Sequence, residues 1–81
     1  MRTMKVRHQY LPGIGNLFEL DTASGPRITI TNYRSGRRDV AIGDPGAEEP
    51  LAATGLTRAE AAAVSMLLTG VRIELVMTAR D

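Results

Sequence analysis

From Val6 to Ile42 apolar and polar residues alternate, and at Leu56 this period of two gives way to a period near 3.6. Successive strand residues point to opposite faces, whereas helix residues return to one face every three or four positions. The switch therefore predicts strands first and a helix after them. "MKVRHQYL" sets Val6, His8 and Tyr10 against Lys5, Arg7 and Gln9, as in an edge or half-buried strand. "NLFELDT" sets Phe18 and Leu20 against Leu17, Glu19 and Asp21, and "RITITNY" sets Ile28 and Ile30 against Thr29 and Thr31. "DVAIG" puts Val40 and Ile42 on a common face. The turn signals "ASGP" and "RSGRR" separate these runs, so they read as an antiparallel meander, apolar on one side and polar on the other. "LAATGL" reads as one more short strand.

The helix announces its own start. Thr57 and Glu60 form T-x-x-E, a capping box in which hydroxyl and carboxylate each satisfy a backbone N–H. Ala59, Ala63, Val64, Leu67 and Leu68 then recur at helical spacing, and Gly70 closes the run. The expected fold class is α+β: a small antiparallel sheet or partly open barrel of about four to six strands, packed by one helix in the C-terminal half. Its core is expected on Phe18, Leu20, Ile28, Ile30, Val40 and Ile42, with the helix lying over that face through Ala63, Val64, Leu67 and Leu68. The final run, "VRIELVMTARD", alternates again and is expected to be a terminal strand or the start of a linker.

Length bounds what such a fold can do alone. The 81 residues are read as a single domain, 1–81, of a size that buries only roughly 60–65% of its unfolded surface. Apolar content of 43% and charged content of 23% fit a folded soluble chain. The absence of cysteine removes disulfides and thiolate metal sites and fits a reducing compartment. No stretch approaches the apolar run that a membrane span requires, and a net charge of +1 lacks the excess that marks many nucleic-acid binders.

The glycines of "LPGIGNLFEL" raise the question of a phosphate cradle. Such a cradle needs N–H groups converging ahead of a helix, with a third glycine or a Lys-Ser/Thr. Here strand-like alternation follows, so Gly13 and Gly15 read as a bend whose approach is stiffened by Pro12. Ile14 between them is expected to plug the end of the sheet, or else to stand exposed as a contact.

The remaining residues assemble no reaction centre. His8 is the single histidine, without an acid and nucleophile at readable spacing, so a packed or interfacial role is expected, with a shallow pH response if it is exposed. Asp44, Glu48 and Glu49 lack calcium-loop spacing and read as a solvated acidic loop. Arg34, Arg37 and Arg38 form the densest basic patch, suited to phosphates, to nearby carboxylates or to keeping a strand edge soluble.

In order along the chain, "LPGIGNLFELDTASGPRITI", "YRSGRRDV", "DPGAEEP" and "LTRAEAAAVSMLL" resemble the N-terminal domain of bacterial cation:proton antiporter regulatory subunits. The resemblance covers residues 5–69. It implies a cytoplasmic, peripheral, non-enzymatic subunit that assembles with a membrane potassium or sodium/proton antiporter and controls transport. Members usually carry a second domain resembling the ligand-binding C-terminal domain of potassium-uptake regulators, and in that family it is this second domain that binds small regulators such as cyclic dinucleotides. No residue here matches that site, so no cofactor is expected. The candidate protein contacts are Ile14, Arg34, Arg37, Arg38, Glu48 and Glu49. A homodimer is expected from the small core, with its interface at the first or the terminal strand. The alternative is a nucleic-acid module using Arg34, Arg37 and Arg38.

Overall fold

The computed structural model describes residues 5–70. Five strands, β1 (Val6–Leu11), β2 (Gly15–Asp21), β3 (Arg27–Tyr33), β4 (Arg38–Gly43) and β5 (Ala52–Leu56), precede one helix, α1 (Arg58–Thr69). The sheet order is β1-β2-β3-β4-β5, each neighbour antiparallel. This is the expected α+β class with its meander, and the sheet stays open rather than closing into a barrel. The expected terminal strand after Gly70 lies outside the described residues.

Register decides the two faces. His8 opposes Phe18, Phe18 opposes Ile30, and Ile30 opposes Val40. Val6 opposes Leu20, Leu20 opposes Ile28, and Ile28 opposes Ile42. Directly opposed side chains share a face, so these residues form one apolar surface crossing β1 to β4. Arg7, Glu19, Asp21, Arg27, Thr29, Thr31 and Asp39 fall on the other.

The turns follow their chemistry. Gly13 takes positive φ of 77° while the Ile14 N–H donates to the Leu11 carbonyl at 2.9 Å, closing a tight bend. A Cβ at Gly15 would strike the Asn32 carbonyl of β3, so only glycine lets the strands approach there. At the helix the capping box is formed: the Glu60 N–H donates to the Thr57 hydroxyl at 3.1 Å, and the Thr57 N–H donates to the Glu60 carboxylate at 2.9 Å. Gly70 ends α1 in the left-handed conformation.

One expectation is corrected. The helix meets the sheet at β5, where Ala61 becomes half-buried, but its apolar stripe does not lie over the apolar face. Leu67 and Leu68 remain 56% and 82% exposed, and Ile30 and Ile42 remain 37% and 42% exposed. The physical reason is the tether. A single residue, Thr57, links β5 to α1, and its reciprocal cap fixes the direction in which the helix departs. Among the described residues no hydrophobic side chain is buried.

Candidate functional site

The candidate contact residues divide between the two ends of the sheet. The β1–β2 bend and the β3–β4 turn share one end, and the Arg34 N–H donates to the Ile14 carbonyl at 2.9 Å, tying the two together. Ile14 is 49% exposed, so it does not plug the end of the sheet. Glu48 and Glu49 lie in the exposed β4–β5 loop at the opposite end, separated from the arginines by the length of β4, about 20 Å at a strand's rise per residue.

The three arginines have unequal freedom. Arg37 Nε donates to Asp39 Oδ1 at 2.8 Å, and its guanidinium lies 5.9 Å from the Tyr33 ring centroid. Arg38 donates to the Tyr33 and Arg37 carbonyls, both at 3.2 Å, bracing the turn from which it emerges. Arg34 is exposed, and the described hydrogen bonds engage its backbone N–H. Tyr33 completes this corner by donating from its hydroxyl to Asp39 Oδ2 at 3.0 Å. That hydrogen bond and the Asp39 charge favour the neutral phenol, raising the Tyr33 pKa.

A recess of about 730 Å³ opens beside Gly36, Arg37 and Arg58 at the start of α1. It is lined by cations and N–H groups, of which Arg37 and the start of α1 already have partners within the chain. Arg37 is paired with Asp39, Arg58 lies against Gly36, and the helix terminus is already capped by its own Thr57 and Glu60. At the other end, Glu48 and Glu49 border a second recess of about 260 Å³ that also includes Glu19 and Arg27. Among the described residues no group of three or more potential ligands is arranged to hold a metal ion.

Sequence reading did not find the network on the charged face. Arg7 reaches Glu19 at 3.2 Å and Asp21 at 3.3 Å, while Arg27 reaches Asp21 at 2.6 Å and Glu19 at 3.9 Å. The hydrogen bond from Arg27, with a further one from Arg7, lowers the Asp21 pKa even though partial desolvation opposes the shift, and Asp21 in turn raises the Arg27 pKa. Alternation alone placed these residues on one face; their pairing required the register. His8 was also located only by face. It stacks on Phe18 with ring centroids 4.8 Å apart, and its Nε2 lies 2.8 Å from Asn16 Oδ1. The histidine is thus engaged on the apolar side, in keeping with a packed or interfacial role.

An open sheet with an internally paired charged face, an apolar face left uncovered by the described residues and exposed turns at both ends is a small α+β module that presents surface. The chain belongs to the family described as "K(+)/H(+) antiporter subunit KhtT, N-terminal domain", which it matches over residues 4–72. It is 34% identical over 68 residues to the K(+)/H(+) antiporter subunit KhtT of Bacillus subtilis (strain 168). That alignment covers 83% of this chain and 41% of the Bacillus protein, so the chain spans about two fifths of its relative's length. The resemblance carried by the glycine bend, the basic turn, the acidic loop and the capped helix is therefore confirmed at the level of the family. None of the described helices is long and apolar enough to cross a membrane.

Proposed function

We propose that this domain regulates a K(+)/H(+) antiporter by direct protein contact, turning over no substrate of its own. Family membership over most of the chain carries the reading. The domain works as a peripheral subunit at the cytoplasmic face, held there through the antiporter, and its active form is a homodimer. Ile14 and Arg34 are the leading contacts because the bend displays them together at an exposed end. Arg37 and Arg38 shape that end through Asp39 and the turn carbonyls, while Glu48 and Glu49 offer a separate acidic contact at the other.

The nucleic-acid reading draws less support. Arg37 and Arg38, on which it relied, are engaged within the chain, leaving a narrow basic surface for phosphates. Pull-down and ion-flux measurements with the antiporter of the same organism separate the readings. Association is expected, together with altered flux, and the pair Ile14→Ala and Arg34→Ala is expected to weaken both while circular dichroism stays unchanged. No association with the antiporter would reject the regulatory reading. Tight DNA or RNA binding that falls steeply with salt would replace it.

A further inference from the structure

Among the described residues, two apolar surfaces have no partner. On the sheet face, Val6, Tyr10, Ile30 and Ile42 are 55%, 63%, 37% and 42% exposed. On α1, Val64, Leu67 and Leu68 are 39%, 56% and 82% exposed. With about 100° between successive helix residues, those three share one stripe, and Met66 lies on the opposite side. A sheet must bury an apolar face against another layer. The seven side chains expose on the order of 700 Å², near the about 800 Å² that each partner gives to an ordinary stable interface.

We propose that two copies of this chain exchange helices, α1 of each lying across the apolar sheet face of the other. This rests on the homodimer proposed above and assigns its interface, moving it from the edge strands to the sheet face. The occupant of that face must offer a narrow apolar stripe, and α1 supplies one that starts against its own β5 at the half-buried Ala61 and becomes more exposed along the helix, to 82% at Leu68. Because one chain carries both halves, a two-fold axis forms both contacts at once and closes the assembly. The charged face is unsuited to the role, since burying it would strip water from Arg7, Glu19, Asp21 and Arg27, which already pair with one another. His8, stacked on Phe18, would lie beneath the incoming helix.

Sedimentation velocity and light scattering on the 81-residue chain test this with Ile42→Lys and Leu68→Glu. Both sites are solvent-exposed within the single chain, so each substitution acts on the contact between copies. Each variant alone is expected to self-associate about a hundredfold more weakly, and Met66→Glu is expected to change little. Mixing the two variants is expected to restore the dimer, because one contact then joins the new ammonium to the new carboxylate and the other remains native. Circular dichroism checks each variant, and recovery on mixing reads the contact even if one is poorly folded alone. A wild-type chain that stays monomeric at high micromolar concentration overturns both the exchange and the homodimer. A dimer indifferent to both charges, or variants that fail to recover on mixing, overturns the exchange alone and returns the interface to the first or the terminal strand. Antiporter binding is measured separately, so its absence bears on the regulatory reading and leaves the helix exchange standing.

Discussion

The two faces of this sheet are built from the same five strands yet differ in how far one chain can satisfy them. The charged face is complete in itself: Arg7 and Arg27 share Glu19 and Asp21, and Asp39 accepts from both Arg37 and Tyr33. Among the described residues the apolar face is incomplete: Ile30, in the middle of the central strand β3, is 37% exposed, and Ile42, near the end of β4, is 42% exposed. Ion pairs and hydrogen bonds close between neighbouring side chains within one layer. Burial cannot, because removing apolar surface from water takes a second layer. The polar face is therefore a local achievement, and the apolar face a demand on something else.

The substitution with the largest expected effect is Ile30→Asp. With the face covered in the assembled protein, it should cost about 3 kcal/mol in urea unfolding, since a charge replaces a buried branched side chain. A change near zero would mean that the face stays open and would erase the contrast between the faces.

Thr57→Ala comes next. It removes the hydroxyl that accepts from the Glu60 N–H and should cost about 1 kcal/mol, read as loss of helical signal before the sheet melts. If helix exchange assembles the protein, the same change should also weaken the dimer, tying the capping box to the apolar face.

Smaller effects belong to the charged face. Asp21 has its pKa lowered chiefly by the hydrogen bond from Arg27, so its contribution to stability is present above the unfolded carboxyl value, about pH 4, and is lost as pH falls through the lower folded value. Arg27→Gln should move the Asp21 titration, followed by NMR, back toward the ordinary carboxylate range and flatten this acid limb. The loss of stability at neutral pH should be smaller than for Ile30→Asp, because the pair is partly exposed and screened. An equal loss would show that the charged face is not the self-contained partner in the comparison.

Tyr33→Phe should have the smallest effect. The raised Tyr33 pKa means its contribution is complete below the unfolded phenol value, about pH 10, and is lost as pH rises through the higher folded value. The variant should match the parent at alkaline pH and fall slightly below it at neutral pH. An unchanged alkaline limb would show that the bond to Asp39 contributes nothing.

The sequence by itself determined the elements and the sidedness of each strand. Alternation separated Ile28 and Ile30 from Thr29 and Thr31, Thr57 and Glu60 marked the helix start, and Gly70 marked its end, because those signals come from sterics and hydrogen bonds within a few residues. It also carried the family, through short segments in a fixed order. Only the tertiary structure decided the pairings and the relation between layers. Arg27 could have met any acid on its face until register set it beside Asp21, and Ile14 met Arg34 because two turns close the same end of the sheet. The apolar stripe of α1 matched the sheet face in pattern, but a capped one-residue tether sent the helix off at β5. Periodicity reports which side of an element is apolar, and the chain's connections decide whether that side can reach its own sheet.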